Sequence, residues 1–158
     1  MTGGKGRALA ALGLLLALAS APADAAKPCW SDGRSSDKAE IAGVLARYAL
    51  YADAKDDTAF AGLFTADGSW EAAGLGRFVG TDALRGFIRG IPAGTRHVTA
   101  NYVIDVAADG IATAHSYAMM LGMDGGHPVI RGTGNYDDVL VRIGCAWKFK
   151  SRKYVAWK

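Results

Sequence analysis

The sequence predicts an α+β domain in which helices of the N-terminal half pack on a curved antiparallel sheet. Two changes of pattern along the chain predict this class. From Lys38 to Ala54 the apolar residues recur at three- and four-residue steps, which is typical of an amphipathic helix. After Pro92 they recur at every second position, which is typical of strands with one buried face. Helices gathered at the start of a domain and strands at its end favour the α+β class.

Cap and turn residues between the periodic stretches set the predicted boundaries. Ser36 or Asp37 is expected to cap the first helix, Asp57 a second, and Thr81 a third that Pro92 stops. A glycine-containing hairpin is expected between the second and third helices, and a meander of four strands after the third. The predicted ranges are helices 38–54, 58–64 and 82–91, hairpin 69–80, and strands 97–107, 111–122, 129–142 and 146–157.

The N-terminal segment is typical of a secretory signal peptide. Lys5 and Arg7 precede an apolar run over residues 8–19, which is shorter than the roughly 20 residues of a spanning helix. Alanines at positions 21, 23 and 25 then form cleavage-site patterns, although a short apolar helix is an alternative. We expect residues 1–25 to be the signal peptide, 26–37 a leader and 38–158 the domain. We therefore expect the protein to be exported to the periplasm or the extracellular space, without a stable membrane anchor.

Charge and cysteine content narrow the class of partner and the compartment. The formal net charge of +3 is too small to indicate a nucleic-acid partner. Near the C-terminus, Lys148, Lys150 and Arg152 alternate with apolar residues, which predicts one solvated face of the last strand. Cys29 and Cys145 are the two cysteines, and an oxidising compartment favours a disulfide between them over two free thiols.

The stretch TRHVTANYVIDV places polar side chains on one face of a predicted strand. His97, Thr99 and Asn101 share that face, whereas Val98 and its alternate neighbours form an apolar face. The polar face either meets water or lines a cavity in which a titratable group works. The spacings typical of zinc ligands do not occur around His97, His115 or His127, so neither a metal nor a cofactor is expected.

Asp53 is the residue that makes His97 a candidate general base. It lies at the end of the first predicted helix, where the partial negative charge of the helix disfavours a carboxylate. A carboxylate beside an imidazole fixes the tautomer of the ring and stabilises its protonated form. The sequence therefore favours an Asp53–His97 pair that acts as a general base, with a hydrated turn residue and a structural histidine as the alternative.

The chain resembles the SnoaL-like domains of the nuclear transport factor 2-like superfamily over residues 38–157. The motifs that carry the resemblance are RYALYAD, which ends the first helix, LFTADGSW, which enters the hairpin, and GTDALR, which begins the third helix. The resemblance implies a conical α+β barrel with a deep apolar pocket. It also implies that Asp53 and His97 are a catalytic pair, that Tyr48 is an active-site tyrosine, and that Arg142 occupies the position of a pocket arginine.

The function expected from these residues is that of a cofactor-independent lyase of the dehydratase type acting on a small cyclic apolar molecule. His97 removes a proton from carbon, Asp53 orients the ring, and Tyr48 donates a hydrogen bond. The expected substrate-binding residues are Arg142, Asn101, Trp70 and Tyr117, in a pocket lined further by Phe60, Phe64, Phe78, Phe87 and Met119. A non-catalytic binding or assembly module and an isomerase or cyclase are alternatives. A homodimer is expected to cover the outer face of the sheet.

Overall fold

The computed structural model describes Met1 and residues 34–158, and the expectations for the signal peptide and most of the leader lie outside these residues. The described chain is an α+β domain, as the sequence predicts. Its elements are α1 (Arg34–Ala54), α2 (Asp57–Gly62), β1 (Phe64–Ala72), β2 (Gly76–Val79), α3 (Thr81–Gly90), β3 (Arg96–Val106), β4 (Ile111–Asp124), β5 (His127–Ile143) and β6 (Ala146–Ala156).

The predicted helix caps are each displaced by one or more residues. Ser36 and Asp37 lie inside the first turn of α1, which begins at Arg34, and not before it. Asp56 is the N-cap of α2, and its side chain accepts a hydrogen bond from the backbone of Ala59. Gly80 is the N-cap of α3.

The six strands form one open sheet in the order β2-β1-β6-β5-β4-β3. The last four strands are the predicted antiparallel meander, and β1 and β2 form the predicted hairpin. The pairing of β1 with β6 is parallel, so the expectation of an entirely antiparallel sheet is corrected at this point. The sheet curves around the helices. Because β2 and β3 remain as separate edge strands, it does not close into a barrel.

The core lies between the helices and the concave face of the sheet. The face of α1 predicted to be apolar is the one that is buried, with Ile41, Leu45 and Tyr48 almost fully inaccessible to solvent. Four successive inward positions of β4, from Ala112 to Ala118, are alanine or serine, which leaves room for large rings from neighbouring elements. Burial of this apolar surface is the main source of the stability of the domain.

A lysine ties the end of α1 to the end of α3. Lys55 follows α1 in the left-handed region, with φ of 60°. Its Nζ donates to the carbonyl oxygen of Ile88 at 2.9 Å and to that of Ile91. A cation is favourable at a helix C-terminus, where carbonyl groups lack partners within the helix. Lys55 therefore holds in place the part of α3 that borders the cavity described below.

Two further observations concern the cysteines and the helices. Cys145 is disulfide-bonded, whereas Cys29, its predicted partner, lies outside the described residues. In the part of the chain that the structure describes, no helix is both long enough and apolar enough to cross a membrane.

Candidate functional site

A cavity of about 420 Å³ lies between α1, α3 and the concave face of the sheet. Its wall is mostly aromatic and aliphatic, with hydroxyl groups and one imidazole as its polar side chains, a composition typical of small-molecule sites. The lining residues are Tyr48, Trp70, Leu75, Phe78, Gly86, Phe87, Gly90, Ile91, Pro92, Thr95, His97, Met120, Tyr136 and Tyr154.

Two glycines on β5 make room for the floor of the cavity. A Cβ atom on Gly134 would lie 2.3 Å from the carbonyl oxygen of Val155 and 2.7 Å from the ring of Tyr154. A Cβ atom on Gly132 would lie 2.9 Å from the methyl group of Met120. Because neither strand position carries a side chain, the ring of Tyr154 lies close against β5 and the space above it remains open.

Asp53 and His97 meet at the wall of this cavity. The Nδ1 atom of His97 lies 2.7 Å from Oδ1 of Asp53, and the two side chains are only 8% and 14% exposed. The backbone N–H of His97 also donates to both carboxylate oxygens, at 3.1 and 3.0 Å. These bonds from β3 explain why a carboxylate is stable in the last turn of α1, where the helix dipole disfavours it.

This geometry selects the tautomer of the imidazole. With Asp53 ionised, Nδ1 of His97 carries the proton that Asp53 accepts, and Nε2 is the nitrogen with a free lone pair. His97 lines the cavity, so Nε2 can accept a proton from a molecule bound there. The pair therefore has the arrangement of a general base oriented by a carboxylate.

A chain of hydrogen bonds connects three aromatic residues beside this pair. The indole Nε1 of Trp70 donates to the hydroxyl of Tyr48 at 2.7 Å. Tyr48 in turn donates to the hydroxyl of Tyr136 across 3.4 Å, which leaves the proton of Tyr136 for a group in the cavity. Burial raises the pKa of Tyr48 and raises that of Tyr136 further, so both phenols remain protonated donors at neutral pH.

A buried ion pair packs against these rings, and the sequence does not predict it. Arg152 and Asp138 have side chains that are 0% exposed, and two hydrogen bonds of 2.8 Å join them. The guanidinium carbon lies 4.0 and 4.1 Å from the ring centroids of Tyr48 and Tyr136. Burial opposes the charge on Arg152, but the carboxylate of Asp138 outweighs it and raises the pKa of the guanidinium.

The sequence pattern places Arg152 on the wrong face of β6. Strict alternation groups it with Lys148 and Lys150 in solvent, whereas Arg152 is buried and points inward. The reason is a bulge, because Phe149 pairs with Leu140 and Ser151 pairs with Val139, which leaves Lys150 as an extra residue. The signal that could have found the pair is the acidic doublet before VLVR on β5, facing an arginine across the final hairpin.

Three of the predicted substrate-binding residues do not line the cavity. Asn101 is exposed at a bulge of β3, where its φ is 57°. Arg142 pairs with Asp37 of α1 and lies over the ring of Trp147. Tyr117 lies on the outer face of the sheet and is exposed. These placements do not fit the predicted role in substrate binding.

Among the aromatic residues expected in the pocket, Trp70, Phe78 and Phe87 line the cavity. Phe60 and Phe64 instead are buried in the core. The methionine of the wall is Met120, because its neighbour Met119 occupies the opposite face of β4.

A second histidine–aspartate pair lies outside the cavity. Nδ1 of His115 is 2.7 Å from Oδ1 of Asp137, but these side chains are 44% and 54% exposed. His127, expected in a turn, is the first residue of β5 and is exposed. No cluster of three or more metal-ligating side chains occurs among the residues that the structure describes. Burial in an apolar cavity thus distinguishes His97 from the other two histidines.

A protein-family model matches most of this chain. The model of the SnoaL-like domain matches residues 33–153. The chain belongs to the SnoaL-like domain family. Among curated proteins, none shows significant sequence similarity to this SnoaL-like domain.

Solved structures share its fold. An NTF2-like protein with a cystatin-like fold from Novosphingobium aromaticivorans has 22% identity and a TM-score of 0.75, over 78% of this chain and 84% of that one. A protein of unknown function from Mycobacterium tuberculosis, Rv3472, has 26% identity and a TM-score of 0.72, over 82% and 79% of the two chains. ActVI-ORFA from Streptomyces coelicolor has 22% identity and a TM-score of 0.68, over 77% and 97%.

Proposed function

We propose that this SnoaL-like domain is a cofactor-independent lyase of the dehydratase type that acts on a small cyclic carbonyl compound. The observation that carries the proposal is the imidazole of His97, held by Asp53 and turned toward an apolar cavity of about 420 Å³. A ring compound of one or two fused rings suits a cavity of this volume and lining. A positioned base of this kind contributes about 10²–10⁴ to the rate.

The proposed reaction begins with proton transfer from carbon to Nε2 of His97. The electron pair of that C–H bond moves toward the substrate carbonyl, whose oxygen accepts a hydrogen bond from Tyr136. The hydroxyl on the next carbon then leaves with the proton that the imidazolium returns, and the products are an enone and water. Asp53 stabilises the imidazolium between these two steps without itself accepting the proton.

The surroundings of the reacting atoms support the proposal. Tyr136 is a stronger candidate for the substrate hydrogen bond than Tyr48, because Tyr48 already donates to Tyr136. Arg152 packs against both rings and fixes their orientation from below, so it is a positioning residue and not a catalytic one. The apolar wall limits water around the developing charge, which strengthens each of these interactions.

A structural neighbour supports the reaction class by analogy. A protein from Novosphingobium aromaticivorans, provisionally described as a scytalone dehydratase, has 23% identity and a TM-score of 0.69. Fold similarity alone does not assign a reaction, since one fold hosts many activities. The proposal therefore depends on the Asp53–His97 geometry and not on this neighbour.

The exchange of carbon-bound hydrogen tests the proposed base directly. We expect the protein to accelerate exchange of the C1 protons of 2-tetralone in D₂O, followed by proton NMR. His97→Gln should abolish the acceleration and Asp53→Asn should reduce it, both with an unchanged circular dichroism spectrum. His115→Gln is the matched control, because its aspartate contact has the same length outside the cavity. Full acceleration by His97→Gln, or none by the wild type, would contradict the proposal.

Elimination separates a lyase from an isomerase that uses the same base. With a cyclic β-hydroxy ketone as substrate, a lyase produces an enone, which ultraviolet absorbance detects. Exchange without enone formation would favour an isomerase or a cyclase. Binding of 2-tetralone with neither exchange nor elimination would favour a non-catalytic binding module.

We also propose that two copies associate through the outer face of the sheet. Tyr117 and Trp157 pack edge to face on this surface, with ring centroids 5.4 Å apart, and both remain exposed. Asp137 and Lys153 lie on the same surface, so opposite charges are available to a symmetric partner. Sedimentation analysis should detect a dimer that Tyr117→Asp dissociates, and a monomeric wild type would contradict this expectation.

Export of the protein is a further part of the proposal. The disulfide at Cys145 supports it, because such bonds persist in oxidising compartments outside the cytosol. Mass spectrometry of the protein recovered from its native host should detect a mature N-terminus near residue 26. A chain that retains residue 1 would contradict export through a cleaved signal peptide.

A further inference from the structure

A second compartment of about 590 Å³ adjoins the cavity. The two compartments share four lining residues, which are Leu75, Pro92, Thr95 and Met120. The outer compartment is completed by residues 93–94, Gly122, Met123 and Arg131. A molecule bound beside His97 can therefore extend between the third helix and the β4–β5 hairpin toward Arg131.

A β-bulge places Arg131 at this opening. Met120 pairs with Gly132 and Leu121 pairs with Ile130, so Arg131 is the extra residue of β5 and interrupts the alternation of side chains. Its Nη2 donates to the carbonyl oxygen of Met123 at 2.8 Å, which anchors one end of the guanidinium.

The aliphatic part of the Arg131 side chain lies against Gly122 of β4. A Cβ atom on Gly122 would lie 2.8 Å from Nε of Arg131 and 2.9 Å from its Cγ. The absence of a side chain at Gly122 therefore lets the arginine stem lie across the strand. The bulge and the glycine together fix where this cation is presented.

Arg131 is the only arginine, lysine, aspartate or glutamate among the described residues that line the two compartments. Its guanidinium has five N–H donors, of which Met123 accepts from Nη2, and no carboxylate of the described chain lines either compartment to neutralise it. An apolar cavity beside a compartment with one arginine and no carboxylate among its described lining residues suits a ligand with an apolar body and an anionic end. Arginine binds carboxylates in particular through two parallel hydrogen bonds.

We propose that Arg131 binds a carboxylate of the substrate and thereby determines specificity for cyclic carboxylic acids over neutral ring compounds. The proposal rests on the proposed function for the position of the ring, which lies beside His97. His97 is paired with Met120, and Gly122 is two residues further along β4, which corresponds to about 7 Å. A fused two-ring compound spans a comparable length, so we expect the carboxylate at the end of the ring system opposite the reacting carbon.

A matched pair of ligands tests the carboxylate directly. The compounds are 6-carboxy-2-tetralone and its methyl ester, which differ in charge but share the ring, and isothermal titration calorimetry measures both affinities. We expect the wild type to bind the acid about tenfold more tightly than the ester, because hydrogen bonds to charged groups are the stronger class. This preference should decrease as the salt concentration rises.

Arg131→Gln should abolish the preference while leaving the affinity for the ester unchanged, and Arg131→Lys should retain part of it. Arg96→Gln is the control, since Arg96 is an exposed neighbour that lines neither compartment and should keep the full preference. Equal binding of acid and ester by the wild type, a preference that survives Arg131→Gln, or binding of neither compound would overturn the proposal.

The failures of the two proposals are distinguishable. A preference for the acid without any exchange at carbon would contradict the lyase but support Arg131 as a carboxylate receptor. Exchange at carbon without a preference for the acid would support the lyase but contradict Arg131 as a carboxylate receptor.

Discussion

Replacement of Arg152 by methionine tests how the domain holds the tyrosine rings beside the cavity. Arg152 and Asp138 are fully buried, and each hydrogen bond between them is 2.8 Å long. In Arg152→Met a side chain of similar length fills the space under Tyr48 and Tyr136, but the carboxylate of Asp138 loses its partner. An uncompensated buried charge is the dominant cost of this change.

The magnitude follows from this geometry. Removal of one partner of a buried ion pair costs about 3–5 kcal/mol. For a domain of this length, a loss of 1 kcal/mol lowers Tm by about 3–6 °C, so Tm should fall by about 9–30 °C. A surface pair provides the contrast, since Arg77 lies 3.8 Å from Glu71 with both side chains exposed. Arg77→Met should change the free energy of unfolding by less than about 1 kcal/mol.

The double variant Asp138→Leu with Arg152→Met separates the charge from the packing. Replacing both partners by apolar residues is often neutral, so most of the stability lost in Arg152→Met should return. Urea denaturation followed by circular dichroism measures all three variants, and the double-mutant cycle gives the coupling energy. A loss below about 1 kcal/mol in Arg152→Met, or a double variant no more stable than the single one, would contradict the role of the buried charge.

Three further predictions concern the helix contact, the glycine floor and the tyrosines. Lys55→Met should cost about 1–2 kcal/mol in urea denaturation, because two carbonyls at the end of α3 lose a charged donor; an unchanged midpoint would contradict this. Gly134→Ala should destabilise the domain by about 1–3 kcal/mol and Gly132→Ala by less, since backbone blocks the first and a flexible methionine the second; the reverse order would contradict this. Both Tyr48 and Tyr136 have raised pKa values, so above about pH 10 only the unfolded chain ionises them and the free energy of unfolding should fall with pH. Absorbance at 295 nm checks this, and titration of all six tyrosines of the folded protein near pH 10 would contradict it.

The sequence predicts the elements well because each has a clear period and a clear stop. The apolar face of α1 follows the helical repeat, and the turn at Gly74 separates β1 from β2 where the hairpin was expected. The Asp53–His97 contact is also anticipated, since the end of one helix and the start of one strand converge in this fold. These features follow from local sequence patterns and from the resemblance to the SnoaL-like family.

Three placements that the sequence does not predict each follow from a bulge. One extra residue in β3 turns Asn101 out of the inner face and brings Ile104 into the core. One extra residue in β6 brings Arg152 inward, and one in β5 places Arg131 at the mouth of the cavity. Alternation of side chains breaks at each bulge, and its position depends on pairing between strands that are distant in sequence.

The tautomer of His97 can be measured without a substrate and directly tests whether Asp53 orients this ring as a base. Nitrogen-15 NMR of the imidazole, at a pH where the ring is neutral, distinguishes a protonated Nδ1 from a protonated Nε2. We predict that Nδ1 carries the proton in the wild type and that Asp53→Asn weakens this preference. A wild-type ring protonated at Nε2 would leave no lone pair facing the cavity and would contradict the account.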